Sequence, residues 1–187
     1  TIYFGGGTPS LHTAEEIELL LSTVREVWEE GNPKSQIPNP SQNPTPLCPP
    51  VNGGEVTLET NPGTVDAEKL RALRVAGINR LSIGAQSFSP RKLGMLHRDH
   101  TAQETRECVQ MARAEGFLNL SLDLIFGLPG ETLEEWRQDI YHALDLEPEH
   151  VSLYNLEFHE GTVFDRWKRT GRLSPLDEDL EAEMYLM

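Results

Sequence analysis

Five short stretches of the chain alternate between apolar and polar residues, which is the period of a β-strand. They are residues 1–4 (TIYF), 55–59 (EVTLE), 80–85 (RLSIGA), 119–126 (NLSLDLIF) and 151–156 (VSLYNL). The segments between them carry apolar residues at helical spacing. This regular alternation predicts a parallel sheet with helical crossovers, and therefore an α/β fold. The rhythm alone leaves open whether the sheet closes into a barrel.

Capping residues mark where the predicted helices begin. The start signals are Thr13 with Glu16, Asp66, Ser89 with Pro90, Thr101 with Glu104, and Thr132 with Glu135. We expect the first helix to bury an apolar stripe that consists of Ile17, Leu20, Leu21, Val24 and Trp28. Trp136 and Cys108 lie on similar apolar faces of later helices and are predicted to belong to the core.

One segment differs from the rest in composition. Residues 31–54 (GNPKSQIPNPSQNPTPLCPPVNGG) consist largely of Pro, Asn, Ser and Gln. Because proline removes backbone donors and fixes φ, neither a helix nor a sheet is expected there. We predict a disordered Pro/Asn-rich insert at the surface of a folded domain, with Cys48 as an incidental exposed thiol.

Each predicted strand has one apolar face and one small or polar face, whereas a strand buried between two apolar layers would be continuously apolar. In RLSIGAQ (80–86), for example, leucine, isoleucine and alanine alternate with serine, glycine and glutamine. Glu59, Gln86 and Asp123 lie on the polar face near the C-terminal ends of successive strands, where α/β sheets bind ligands. An internal ion pair or network, for instance of Asp123 with an arginine, could explain one such residue. For three polar residues that lie on the same face of successive strands, we favour a polar ligand pocket.

Composition limits the function classes. The chain has 16 Lys and Arg against 30 Asp and Glu, a net charge of −14, which argues against nucleic-acid binding. It has no apolar run long enough to span a membrane and no signal-peptide pattern, so we expect a cytoplasmic location. The two cysteines form no CxxC pair, which indicates neither a disulfide framework nor a zinc ribbon.

Three short motifs have both a structural and a functional interpretation. GGGTPS (5–10) lacks the lysine of a phosphate-binding P-loop, but a tight turn needs only one or two glycines, so we favour a loop whose backbone approaches a ligand. GLPG (127–130) is typical of a turn. His97 and His100 in HRDH could form a metal pair, but no third ligand is evident, and we expect a solvent-exposed helix end.

Six motifs occur in order along the chain: YFGGGTPS, LETNPG, INRLSIGAQSF, LHRDHT, LSLDLIFGLPGET and VSLYNLEFHEGTVF. Together they resemble the radical S-adenosylmethionine (SAM) proteins of the oxygen-independent coproporphyrinogen III oxidase group. The resemblance covers residues 1–30 and 55–187. It implies that residues 1–187 form a radical SAM core domain, a partial (β/α) barrel incomplete at its N-terminus, from a family that carries SAM and a [4Fe-4S] cluster.

The resemblance also implies a set of SAM contacts, namely Gly6, Gly7, Thr8, Glu59, Gln86, Arg98 and Asp123. In this interpretation the glycine loop binds the amine and carboxylate of the methionine part of SAM. Arg98 offers a bidentate partner for a carboxylate or the ribose, and the acidic residues accept ribose hydroxyls or the amine.

The chain lacks the Cys-x-x-x-Cys-x-x-Cys motif that holds the cluster in this family. The resemblance places that motif before the first strand, so we expect the chain to be an internal piece of a longer protein with its cluster ligands outside this sequence. By itself such a piece could not reduce SAM.

Two functions from different classes are consistent with the resemblance. One is a HemW-like heme chaperone, which binds heme and passes it to an acceptor protein that the sequence does not identify. The other is a coproporphyrinogen III oxidase, which converts two propionates to vinyl groups in porphyrin biosynthesis. The stretch YNLEFHEGT and the acidic DEDLEAEMY resemble the chaperone branch more closely. A SAM-independent domain that binds another polar metabolite is a third reading.

Overall fold

The computed structural model describes residues 1–31 and 54–187, with side chains described for 1–27 and 54–187. The predicted insert, residues 31–54, and Cys48 within it therefore lie almost wholly outside the described residues. Five strands form one sheet: β1 (Ile2–Phe4), β2 (Val56–Thr60), β3 (Arg80–Gln86), β4 (Leu120–Phe126) and β5 (His150–Asn155). The helices are α1 (Ala14–Gly31), α2 (Ala67–Ala76), α3 (Pro90–Met95), α4 (Ala102–Ala114), α5 (Leu133–Leu144), α6 (Val163–Arg169) and α7 (Glu178–Leu186).

All strand pairs are parallel, and the strands follow one another across the sheet in sequence order from β1 to β5. Each strand therefore returns through a crossover helix to lie beside its predecessor, and the sheet curves into a half-barrel. The predicted α/β class and partial (β/α) barrel are confirmed. Because all strands point the same way, their C-terminal ends meet at one edge of the half-barrel.

The predicted capping boxes are present. Thr101 and Thr132 each accept a hydrogen bond from the backbone N–H three residues on, and Glu104 and Glu135 accept from the capping residue in return. Thr13 and Glu16 make the same reciprocal pair. These local bonds satisfy N–H groups that have no partner within the helix, which is why the helix starts could be predicted from sequence.

The core lies between the apolar strand face and the helices. Its strand side chains are those of the predicted apolar parity, and Trp136 and Cys108 are fully buried as expected. The prediction for α1 is partly wrong. Ile17 and Leu21 are fully buried, but Leu20 and Val24 are 47% and 44% exposed, so the buried face of α1 is narrower than its apolar stripe. The side chain of Trp28 lies outside the described residues.

Among the described residues, no helix has both the length and the apolar character that crossing a membrane requires.

Candidate functional site

A cavity of about 310 Å³ opens on the polar face of the sheet, at the C-terminal ends of the strands. Six of the seven predicted contacts line it: Gly7, Thr8, Glu59, Gln86, Arg98 and Asp123. The seventh, Gly6, lies at its edge and donates its backbone N–H to Glu59 Oε2 at 2.9 Å. The structure thus brings together residues that are spread over more than a hundred positions of the chain.

The three glycines after β1 are required for two different geometric reasons. Gly6 and Gly7 have φ values of 86° and 67°, in the left-handed region where side chains are strained. Gly5 leaves room for its neighbours instead, because a Cβ there would lie 2.6 Å from Tyr3 Cε1 and 2.9 Å from Glu59 Oε1. Two glycines are needed for the turn, and the third is needed for the position of Glu59.

Both carboxylate oxygens of Glu59 accept a hydrogen bond. The Tyr3 hydroxyl donates to Oε1 at 3.0 Å, and the Gly6 N–H donates to Oε2. Burial, the hydrogen bond to Glu59 and the charge of that carboxylate raise the pKa of Tyr3, so the phenol stays protonated as a donor. Each oxygen keeps a lone pair free for a further donor from the cavity.

Replacing Gly5 by alanine is expected to displace the Glu59 carboxylate and the half-exposed Tyr3 ring, and to lower the free energy of unfolding by about 0.5 to 1 kcal/mol, because both side chains can shift. Denaturant unfolding measures the stability, and the same change at Gly54, where a Cβ meets nothing within 4 Å, is the control. A Gly5→Ala protein as stable as the parent would contradict the steric role of this glycine.

Gln86 reaches the cavity through an irregular strand end. The register between β3 and β4 shifts between Ile83 and Gln86, and Gln86 has a φ of 63°, which is rare for a residue with a side chain. Gly84 leaves space for the side chain of Gln86, because a Cβ at Gly84 would lie 2.7 Å from Gln86 Nε2 and 3.2 Å from Asn61 Oδ1. Backbone strain of this kind concentrates at binding sites.

Arg98 is positioned by the end of α3. His97 adopts a left-handed φ of 51°, and the Arg98 N–H donates to the carbonyl of Leu93 at 3.0 Å, which closes the helix and turns the arginine towards the cavity. Arg98 Nε is buried and has no hydrogen-bond partner within the described part of the chain. A buried donor without a partner is costly, so this atom points to a ligand acceptor.

Asp123 projects from the middle of β4 and accepts from Ser82 Oγ, which lies 3.0 Å from each carboxylate oxygen. Burial raises the pKa of Asp123, and the nearby charge of Glu59 adds to that rise, while hydrogen bonds from serines oppose it. Within residues 1–27 and 54–187 no ion pair includes Asp123. An ion pair of Asp123 is therefore absent from the described residues, whereas the hydrogen bond from Ser82 is an internal contact of the kind that a polar network would provide.

Sequence reasoning did not nominate six residues that also line the cavity, namely Pro9, Thr60, Asn61, Ser82, Gly84 and Tyr154. Ser82, Gly84 and Tyr154 have the predicted polar parity, so strand alternation contained the signal for them. Asn61 follows β2, and its Nδ2 donates to Thr8 Oγ1 at 3.3 Å, which joins the second strand end to the glycine loop.

The prediction for the HRDH stretch is wrong in part. His97 is exposed, but His100 is only 7% exposed, with Nε2 3.1 Å from the carbonyl oxygen of Ala85. The histidine binds the backbone at the end of β3, and solvent does not surround it. Among the described residues, no group of three or more His, Cys, Asp and Glu is arranged to hold a metal ion.

The arrangement suits a small ligand of mixed charge. Two carboxylates that share the cavity favour a cationic group and hydroxyl donors, while the unpartnered arginine favours a carboxylate or another acceptor. The glycine loop adds backbone at close range. An amino acid joined to a hydroxylated group carries all of these features.

Comparison with curated proteins finds relatives that match most of this chain. The protein named heme chaperone HemW in Bacillus subtilis is 37% identical over 185 residues, which are 99% of this chain and 44% of the relative. The heme chaperone HemW of Haemophilus influenzae is 40% identical over 164 residues, 88% of this chain and 38% of the relative. The chain thus spans less than half the length of these curated relatives.

Solved structures share the fold. Coproporphyrinogen III oxidase (HemN) from Escherichia coli, a radical SAM enzyme, matches with a TM-score of 0.73 and 23% identity, over 98% of this chain and 38% of that one. Elp3 from Methanocaldococcus infernus matches with a TM-score of 0.63 and 24% identity, over 70% of this chain and 31% of that one. The family model described as the Radical SAM superfamily matches residues 1–141, which include β1 to β4 and all seven predicted contacts. The chain belongs to the radical SAM superfamily.

Proposed function

We propose that this chain is the SAM-binding part of a heme chaperone, a protein that binds heme and transfers it to an acceptor protein. The observation that carries the proposal is the identity of 37% and 40% with two heme chaperones HemW, over 99% and 88% of this chain. The match to coproporphyrinogen III oxidase has 23% identity and supports the fold alone.

Membership of the superfamily implies SAM and a [4Fe-4S] cluster as cofactors. The cavity residues fit SAM. Arg98 has a buried Nε without a partner in the described residues, which suits the carboxylate of SAM, and Glu59 and Asp123 suit its ammonium group and ribose hydroxyls. We assign SAM binding to these three residues, together with Gln86 and the loop of Gly6, Gly7 and Thr8. When bound, SAM supplies a sulfonium centre that a reduced cluster can cleave.

The described residues do not fit the cluster. Their one cysteine, Cys108, lies in the core on α4, where burial raises the pKa of its thiol to about 12. A thiol held in its protonated form in an apolar environment is unsuited to bind iron. We therefore assign to the described residues the binding and orientation of SAM, and not the binding of the cluster.

Two measurements on the full-length protein separate the chaperone from the oxidase. Heme titration followed by the Soret absorbance is expected to show stoichiometric binding, and mixing the loaded protein with an acceptor should move the heme. Anaerobic incubation with coproporphyrinogen III, SAM and a reductant is expected to yield no protoporphyrinogen. Turnover in the second assay without heme binding in the first would establish the oxidase in place of the chaperone.

A further inference from the structure

Gln86 lies at the centre of a three-residue turn at the end of β3. The N–H of Ser87 donates to the carbonyl of Ala85 at 2.7 Å, which is the hydrogen bond of a γ-turn. Because Gln86 has a φ of 63°, this is the rarer and more strained of the two γ-turn forms. A residue with a side chain keeps such a backbone only where the surrounding structure holds it. The contacts on either side of the turn therefore show what fixes Gln86.

The chain after the turn is held by Asp139 of α5. Asp139 Oδ2 accepts from the Ser87 hydroxyl at 2.6 Å, and Oδ1 accepts from the Phe88 N–H at 2.7 Å. Ser87 is fully buried and Asp139 is almost fully buried, so water does not compete for these bonds. The residue that follows Gln86 is thereby tied to a helix of the core.

The chain before the turn is held by His100. Its Nε2 lies 3.1 Å from the Ala85 carbonyl oxygen, and Nε2 must carry a proton because a carbonyl oxygen can only accept. The same carbonyl already accepts from the Ser87 N–H, so it would have a partner without the histidine. The second hydrogen bond fixes the direction of the carbonyl. It therefore fixes the peptide plane that precedes Gln86 and, with it, the φ of Gln86.

The segment between α3 and α4 places His100 at this carbonyl. The next residue, Thr101, is the N-cap of α4, and its N–H donates to Glu104 Oε2 at 2.7 Å. Two residues before His100 lies Arg98, which lines the cavity. One segment thus supplies a cavity residue and supports Gln86, a second one. Core packing would explain why a histidine is buried here, but not why its donor binds a carbonyl that already has a partner.

We propose that His100 is a positioning residue for ligand binding in the cavity. Its hydrogen bond to Ala85 keeps Gln86 in the strained turn, where the Gln86 side chain lines the cavity. Without this bond the turn can relax to a negative φ, which moves the carboxamide away from the ligand. The identity of the ligand as SAM rests on the proposed function, while the hold on Gln86 rests on the contacts of the turn.

The test is calorimetric titration of the full-length protein with SAM, without a reductant, so that SAM is bound but not cleaved. His100→Phe keeps a ring of similar size without the donor, and should weaken SAM binding about five- to tenfold, the equivalent of one hydrogen bond. His100→Gln should restore nearly the affinity of the parent, because the glutamine Nε2 can reach the place of the histidine Nε2. His159→Phe is the control, because His159 is exposed and pairs with Glu157, and it should leave SAM binding unchanged.

Combination with Gln86→Gly separates positioning from a general effect on the fold. Glycine adopts a positive φ without strain and has no carboxamide, so Gln86→Gly should weaken SAM binding and make His100 unnecessary to the turn. Adding His100→Phe should then cause no further loss of affinity, because both changes remove the same contact. Additive losses, or a His100→Gln protein that binds as weakly as His100→Phe, would mean that His100 serves the fold and would overturn its positioning role.

The remaining outcomes separate this role from the proposed function. If the parent and His100→Phe bind SAM equally, the positioning role is overturned and the proposed function stands. If the parent binds no SAM, the proposed function fails and the role of His100 in SAM binding fails with it. Urea unfolding of each variant detects a loss of the fold. If His100→Phe does not fold, His100→Gln compared with His100→Asn, whose shorter amide cannot reach Ala85, decides between the same outcomes.

Discussion

Replacing Lys92 by methionine is expected to lower the free energy of unfolding by about 3 to 5 kcal/mol, the cost of breaking a buried ion pair from one side. Lys92 is fully buried on α3. Its ammonium contacts Glu131 and lies 2.6 Å from Asp139 Oδ2, and both carboxylates are almost fully buried. Methionine keeps the length and the apolar volume of lysine but leaves these carboxylates without their cation.

The other contacts of this cluster show why the effect should be large. Asp139 also accepts from Ser87 Oγ at 2.6 Å and from the Phe88 N–H at 2.7 Å, and Glu131 accepts from the Leu128 N–H at 2.9 Å. One ammonium therefore serves two carboxylates, and burial raises the pKa of Glu131 although Lys92 opposes that rise. The cluster ties together the loops after β3 and β4, and the first of these loops directly follows Gln86, which lines the cavity.

Urea unfolding of the parent, Lys92→Met and Lys69→Met measures this effect. Lys69 is a half-exposed lysine on α2 outside the cluster, so its replacement should change stability by less than about 0.5 kcal/mol. Because Ser87 directly follows Gln86, Lys92→Met should also weaken SAM binding under conditions where it remains folded. Equal stability of the two variants would mean that the buried carboxylates do not depend on Lys92.

Much of the fold could be predicted because its signals are local. The capping box at Thr101 and Glu104 spans three positions, and the alternation within Leu120–Phe126 shows which side chains face the core. Lys92 had no such signal. Its partners lie 39 and 47 residues away, so its burial is fixed by how α3, the loop after β4 and α5 pack together. Nothing in the local sequence distinguishes it from a surface lysine.

The site residues also fall into two groups, those that a local sequence pattern predicts and those that depend on the fold. Strand parity and the common direction of parallel strands predicted that Glu59, Gln86 and Asp123 would meet, and they line one cavity. The position of Arg98 was implied only by the family resemblance. It depends on a left-handed backbone at His97, a conformation usually supplied by glycine, which the sequence does not indicate.

Asp123→Asn is expected to weaken SAM binding at least tenfold and to leave the protein without SAM as stable as the parent, or more stable, at neutral pH. The first effect follows from the loss of a charged acceptor in the cavity. The second follows from the raised pKa. A carboxyl whose pKa is higher in the folded than in the unfolded protein favours folding while it is protonated, and that contribution is lost as the pH rises through the folded value. At a pH above that folded value the ionised, buried Asp123 therefore opposes folding, and asparagine removes this charge while its side-chain oxygen can still accept from Ser82.

Calorimetric titration with SAM and denaturant unfolding, both on the 187-residue chain, measure the two effects separately. The stability difference between Asp123→Asn and the parent should shrink as the pH falls towards values at which Asp123 is protonated. Asp145→Asn is the control, because Asp145 is exposed at the end of α5, and it should change neither property. A variant that loses stability in parallel with SAM affinity would mean that Asp123 serves the fold, whereas unchanged affinity would remove Asp123 from the site. Loss of binding without loss of stability would mean that the protein keeps a buried charge on its polar sheet face for its ligand, at the expense of its own stability.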